Sequence, residues 1–247
     1  MAESHSIADR YTVEQTEATP LDETRYADVL RSDFVDHYAG GRDIWTGEEA
    51  MRQAPRLLMD ALRARPGAET PKSPESPASP AAHVLDIGTG HGRDAGILLA
   101  GGHRVTGIDL VASPEWETLA GQHPGRARFF ATAALDLPGA AEYDAVLDNG
   151  CFHHQHPEAY GAYLRRIHEL LRPGGLLTLS VFHATGGKGG LYANAGNRLY
   201  REFTEQELTG LVGQYGFALV ASHQVPRAVG DLTYLVSTFR RTEGEGR

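Results

Sequence analysis

The segment Val84-Leu85-Asp86-Ile87-Gly88-Thr89-Gly90-His91-Gly92-Arg93-Asp94 constrains this chain most, because an apolar run ends in a glycine-rich turn and passes straight into a helical pattern. Such a unit belongs in an open α/β sheet, where the turn at a strand end faces the ligand crevice. Glycines at 88, 90 and 92 let the backbone turn sharply and let a ligand approach the main chain without meeting a Cβ. A dinucleotide fingerprint needs its third glycine at 93, where Arg93 stands, so the spacing disfavours a nicotinamide cofactor. Asp86 beside the turn repels a pyrophosphate and suits an ammonium group, which points to an amino-acid moiety. A purely architectural glycine turn is the alternative.

The rest of the chain carries the same alternation. Apolar runs at 83–88 and 104–110 alternate with helical patterns at 92–101 and 114–121, and further strands are expected at 127–132, 143–149 and 176–182. A helix between Pro157 and Leu171 turns Tyr160, Leu164, Ile167 and Leu171 inward. Alternating units imply a parallel, doubly wound sheet with helices on both faces. Pro173-Gly174-Gly175 ends a helix and starts the next strand. Thr204 and Glu207 form a capping box for a helix carrying Leu208, Leu211 and Val212, which Gly216 stops. The closing strands, 217–224 and 231–240, leave no room for a crossover helix and so pair antiparallel.

Ahead of this domain, expected over residues 83–241, residues 1–65 read as a helical extension that closes the cleft as a lid. Residues 1–23 are polar and acidic. Val29, Leu30, Phe34 and Tyr38 then recur at helical spacing until Gly40-Gly41. A second helix is expected after Trp45, with Thr46 and Glu49 as capping box and Met51, Ala54, Leu58, Ala61 and Leu62 along one face. Residues 66–82 hold five of the thirteen prolines among Ser, Glu and Ala, a linker or disordered loop.

Composition narrows the partners. A formal net charge of −9 argues against a surface built for nucleic acid or anionic lipid. The single cysteine, Cys151, excludes an intrachain disulfide and fits a cytoplasmic setting. No apolar run is long enough to span a membrane, and no leader pattern opens the chain. Nothing in the sequence bears on oligomeric state.

Two further acids stand at strand ends. Asp109 falls 23 residues after Asp86, where a carboxylate can accept from ribose hydroxyls, and Asp136 can accept from an adenine amino group or merely cap the next turn. With Asp86 through Gly92, Asp109, Asp136-Leu137-Pro138, Tyr143 through Val146 leading to Asn149, and Leu171 through Gly175, the chain resembles the class I S-adenosylmethionine-dependent methyltransferases. The resemblance spans residues 83–240. It implies a Rossmann-like seven-stranded sheet with an antiparallel last strand, and S-adenosyl-L-methionine as cofactor. It also implies that Asp86, Gly88, Gly90, Asp109, Leu110, Asp136, Leu137 and Asn149 bind that cofactor.

Methyl transfer from a sulfonium is a direct displacement, in which the protein aligns the reactants and can remove a proton. Beyond the fourth strand the chain reads Asp148-Asn149-Gly150-Cys151-Phe152-His153-His154-Gln155-His156, without the Asn/Asp-Pro-Pro-Tyr or Pro-Cys patterns of nucleic-acid-modifying relatives. A small-molecule acceptor, methylated on N or O and set in secondary metabolism, is therefore expected. His154 and His153 are the candidate bases, with a structural or capping role as the alternative. Their i, i+1, i+3 spacing with His156 and the absence of nearby Glu or Cys ligands argue against a metal, and Cys151 reads as a packed side chain. The Gly-rich stretch 182–194 is expected to be a movable loop over the acceptor. Tyr38, Trp45, His183, Tyr192 and Asn194 are substrate candidates, with Tyr200 and Arg201 beside them; Trp45 is similar to a tryptophan of the thiopurine methyltransferase group or is plain packing. Two other readings are a cyclase that consumes the cofactor and releases methylthioadenosine, and a non-catalytic binding module.

Overall fold

The computed structural model describes residues 11–17, 19, 21–43, 45–65, 81–227 and 232–242. In chain order the elements are β1 (Val13–Gln15), α1 (Glu23–Ala39), α2 (Gln53–Arg63), β2 (His83–Ile87), α3 (Arg93–Ala100), β3 (Arg104–Asp109), α4 (Glu115–Gln122) and β4 (Ala127–Ala131). There follow β5 (Tyr143–Asn149), α5 (Tyr160–Leu170), β6 (Leu171–His183), β7 (Leu191–Asn194), β8 (Leu199–Phe203), α6 (Glu205–Gly213), β9 (Phe217–Pro226) and β10 (Thr233–Arg241).

Seven of these strands make the central sheet in the order β4-β3-β2-β5-β6-β10-β9. Neighbours from β4 to β6 are parallel, whereas β10 runs antiparallel to both β6 and β9. Too few residues separate Pro226 from Thr233 for a crossover, so the last strand must return reversed. The inner strands are apolar nearly throughout because both faces are covered. On one face α2 and α3 bring Leu58, Leu62, Leu98 and Leu99 against Val84, Val105, Leu147 and Val236. On the other, α5 and α6 bring Leu164, Ile167, Leu208 and Val212 against Val146, Leu177, Leu179 and Leu235. Each such burial stabilises by about 1.5–3 kcal/mol.

The expected N-terminal lid divides in two. The apolar stripe of α2 is part of the sheet's own core, so only β1, α1 and the turn after it cover the strand ends. The expected capping box at Thr46 does not form: the chain makes a 3-10 turn at Glu49–Arg52, and Glu49 pairs with Arg52 and Arg56 instead. The box at Thr204 does form, with Glu207 N donating to Thr204 Oγ1 at 3.1 Å and Thr204 N to Glu207 Oε2 at 2.9 Å. The proline-rich stretch, except for 81–82, lies outside the described residues.

Part of the expected loop at 182–194 is strand. β7 and β8 form an antiparallel hairpin, β1 adds to β7, and β8 joins the end of β6 through Phe182 and His183. Asn197 turns the hairpin with φ of +67°, a left-handed conformation that Asn tolerates better than most residues. The Gly-Gly pairs mask the alternation on either side of that turn.

Candidate active site

The glycine turn is pinned by backbone bonds: Gly88 N and Thr89 N both donate to Ile108 O, at 2.8 and 3.0 Å. Asp109, one residue further along β3, accepts from Gly90 N at 2.9 Å and from Val111 N at 3.0 Å. Burial raises its carboxyl from the usual value, and those N–H groups oppose the shift. The glycines answer to this chain's own side chains as well as to any ligand. A Cβ on Gly88 would lie 2.0 Å from Cys151 Sγ, and one on Gly90 would lie 3.0 Å from Tyr38 Oη. Both have positive φ, +71° and +53°.

A cavity of about 480 Å³ opens at the carboxyl ends of the strands, in the size range of small-molecule sites. Of the candidates read from the sequence, Gly88, Asp109, Leu110, Asp136, Asn149, His153, His154, Tyr38 and Trp45 line it. Asp136 stands exposed at its mouth beside Leu135. Asn149 is held by Nδ2, which donates to Met51 O at 2.7 Å and Asp94 Oδ2 at 2.6 Å, leaving Oδ1 unpartnered.

Six candidates sit elsewhere. Asp86 is buried behind the turn, accepting from Thr89 Oγ1 at 2.7 Å; burial, with the charge of Asp94, raises its carboxyl to about 8. It is not among the residues that line the cavity, so nothing here brings it to a ligand's ammonium. Leu137 packs in the core beneath the strand ends. His183 pairs with Phe203 at the junction of β6 with β8, outside the cavity wall. Tyr192 points along the hairpin, its hydroxyl donating to Glu202 at 3.2 Å. Asn194 serves the hairpin turn, its Oδ1 accepting from Arg198 N at 2.8 Å. Gly90 is likewise closed off, by Tyr38. Arg201 turns toward Glu207, whereas Tyr200 lines the cavity.

The two histidines are carried on a turn anchored by Asp148, which accepts from Cys151 N at 2.8 Å, Phe152 N at 3.0 Å and Tyr163 Oη at 2.6 Å. His154 Nδ1 donates to Leu199 O at 2.7 Å, since a carbonyl can only accept, and so its Nε2 keeps the lone pair. Tyr26 clamps this turn to β8: its hydroxyl donates to His154 O at 2.5 Å and accepts from Leu199 N at 3.0 Å. Burial, with the charge of Arg198, pushes the His153 imidazole down to about 3. Burial and the neighbouring His153 push His154 well below its ordinary value. A group that releases its proton so readily makes a poor store for one at neutral pH. Both shifts favour the neutral imidazole, the form in which a ring nitrogen can accept a hydrogen bond or a proton, and both weaken the ring as a store for a proton.

Sequence reasoning missed the rest of the wall. Phe182 stacks near Tyr200 and Tyr234, with ring centroids 6.3 and 5.8 Å away, and lies 4.1 Å from His153. Phe34, edge-on to the expected Trp45, closes the side toward α1. Two guanidinium groups complete it. Arg198 pairs with Asp33 at 2.5 Å and lies over the Tyr200 ring; Arg227 pairs with Glu48 through two contacts and donates to Tyr11 Oη at 2.7 Å. Among the described residues no group of three or more His, Cys, Asp or Glu could hold a metal ion, and no helix is long and apolar enough to cross a membrane.

A strand-turn-helix with an acid at the next strand end, under a doubly wound sheet whose last strand is reversed, defines a nucleoside-binding α/β fold. Residues 49–222 match the family described as methyltransferase domain, and the chain belongs to it. That match begins inside the segment read as an extension, in keeping with the place of α2 in the core. A crystal structure of 1,6-didemethyltoxoflavin-N1-methyltransferase from Burkholderia thailandensis, with bound 1,6-didemethyltoxoflavin and S-adenosylhomocysteine, is 48% identical. It covers 98% of this chain and 100% of that one, with a TM-score of 0.86. An uncharacterized methyltransferase of Synechocystis sp. is 32% identical over 138 residues; the match spans about half of each protein, 56%. An S-adenosylmethionine-dependent methyltransferase from Methanosarcina mazei, 20% identical over 66% of this chain and 93% of that one, shares the fold at a TM-score of 0.52. The chain is an S-adenosylmethionine-dependent small-molecule methyltransferase.

Proposed function

We propose that this enzyme methylates a ring nitrogen of a flat heteroaromatic metabolite, a tailoring step of secondary metabolism carried out in the cytoplasm. The observation that carries the reading is 48% identity along nearly the whole chain to a methyltransferase crystallised with such a heterocycle. The aromatic wall formed by Phe34, Phe182, Tyr200 and Tyr234 supports it, since stacked and edge-on ring contacts suit a planar ligand.

S-adenosylmethionine fits the residues on the other side of the cavity, and when bound it supplies an electrophilic methyl group. Asp109 would hold the ribose hydroxyls with its remaining lone pairs, Asp136 the adenine amino group and Leu110 the adenine face. The unpartnered Oδ1 of Asn149 suits the ammonium group that Asp86 does not reach. His153 and His154 orient the acceptor as neutral imidazoles, and the acceptor reacts through a nitrogen lone pair.

Incubation with S-adenosylmethionine and 1,6-didemethyltoxoflavin tests this by mass spectrometry. A gain of one methyl with matching S-adenosylhomocysteine is the expected result. Recovery of unchanged heterocycle refutes the substrate class. Methylthioadenosine released in the absence of acceptor would turn the reading to intramolecular cyclisation.

A further inference from the structure

Arg93, the residue that breaks the dinucleotide spacing, is not a solvated charge. Its side chain is 12% exposed and that of its neighbour Asp94 is 7% exposed. Arg93 Nε donates to Asp94 Oδ1 at 2.7 Å and Nη2 donates to Asp94 Oδ2 at 2.8 Å, a two-pronged pair on the first turn of α3, directly after the glycine turn. Taking both charges out of water is unfavourable, and a well-packed apolar pair of similar volume often serves stability as well or better. What the planar guanidinium adds is a fixed set of bond directions.

The remaining bonds of the pair all go to the cavity wall. Arg93 Nη1 donates to Trp45 O, in the turn after α1. Asp94 Oδ2 also accepts from Asn149 Nδ2 at 2.6 Å, at the end of β5, and the same Nδ2 donates to Met51 O at 2.7 Å, just ahead of α2. Trp45, Met51 and Asn149 line the cavity, whereas Arg93 and Asp94 stand behind it. Three wall residues from three separate segments are thus tied to one ion pair. Because Nδ2 is engaged by two acceptors, the Asn149 amide has one orientation; a flip would set its oxygen against the Asp94 carboxylate and the Met51 carbonyl.

We infer that Arg93 and Asp94 are positioning residues for methyl transfer: from behind the wall they fix the Asn149 amide for the cofactor and hold the turn that carries Trp45. The inference rests on the reading in which Asn149 meets the cofactor's ammonium group, and adds what aims it. A small displacement of the wall misaligns methyl and acceptor, to which a direct displacement is sensitive.

A double-mutant cycle on the full-length protein, read by calorimetry with S-adenosylhomocysteine, tests it. Asp94→Asn and Asn149→Ala should each weaken binding roughly 10-fold. Together they should weaken it little more than Asn149→Ala alone, because Asp94 acts through Asn149. The apolar pair Arg93→Met with Asp94→Leu should keep near-normal stability in urea and still bind S-adenosylhomocysteine about 10-fold more weakly, a loss that a merely structural pair would not show. Arg93→Lys keeps the charge opposite Asp94 and loses the fork, so Trp45 should become more open to acrylamide quenching against the constant background of buried Trp116. Additive losses in the cycle, wild-type affinity in Asp94→Asn or in the apolar pair, or unmoved quenching overturns the inference while the methyltransferase reading stands. Wild-type affinity in Asn149→Ala removes the cofactor contact and the inference with it. Failure of the wild-type protein to bind S-adenosylhomocysteine sinks the methyltransferase reading itself.

Discussion

Gly88→Ala is the most informative single change, because the structure supplies both parts of its cost. The residue has φ of +71°, and holding an L side chain in the left-handed region costs roughly 1–2 kcal/mol. The added Cβ would also lie 2.0 Å from Cys151 Sγ, and crowding of that kind in a packed interior costs about 1–3 kcal/mol. Gly88→Ala should therefore lose about 2–5 kcal/mol of stability. Cys151→Ala removes the offending sulfur and leaves a neighbouring Cβ at 3.7 Å, an ordinary contact. In that background Gly88→Ala should cost only the backbone part, so the double-mutant cycle should show a favourable coupling of about 1–3 kcal/mol. Urea denaturation of the four proteins measures it. Rotation of the thiol into the cavity is the alternative relief; it gives up the contact of Sγ with Ile87 O and should appear as weaker S-adenosylhomocysteine binding at near-normal stability. A Gly88→Ala protein equal to wild type in both stability and binding would refute the reasoning.

Asp109→Asn should weaken S-adenosylhomocysteine binding roughly 10- to 100-fold, the loss of charge-assisted bonds to two hydroxyls, and calorimetry checks it. Glu48→Ala leaves the buried Arg227 guanidinium uncompensated and should destabilise by about 3–5 kcal/mol in denaturant titrations; an effect below 1 kcal/mol would show that the pair is wet. For Asp86, whose carboxyl is raised from its usual 3.8 to about 8, the folded protein keeps a proton that the unfolded chain releases between those values. Its contribution is full below about pH 4 and is lost as pH rises toward and through 8, so Asp86→Asn should gain on wild type from pH 5 to pH 8 by up to about 1.4 kcal/mol per pH unit. A difference that stays constant with pH contradicts the assignment.

The glycine turn and the strand-end acids were legible because they are local. One strand, its glycine turn and the acids at the next strand ends are each contained within a few residues, and their order follows from the crossover rule for parallel strands. Asp86 shows the limit of that reading. Sequence puts a carboxylate two residues before the turn, and strand alternation alone does not say whether it faces the ligand or the interior; Thr89 Oγ1 takes it inward. The same limit applies to Thr46, whose capping pattern is intact while Glu49 finds better partners in Arg52 and Arg56.

The acceptor half was legible only in part: Tyr38, Trp45, His153, His154 and Tyr200 line the cavity, but the contacts that hold its wall together were not foreseen. Arg198 meets Asp33 and Arg227 meets Glu48 across most of the chain, and Tyr26 ties the turn at His154 to Leu199. No local pattern announces such pairs, because each residue alone reads as a solvated charge or a helix-face aromatic. The β7–β8 hairpin was hidden for the same reason: its alternation only acquires a buried side once α1 lies over it, with Tyr26 and Leu30 against Leu191 and Leu199. The two halves are therefore built by different means. Substitutions in α1, β8 or the end of β9 can reshape the aromatic chamber while Gly88, Asp109 and Asn149 stay in place, so acceptor choice can change while cofactor binding is preserved.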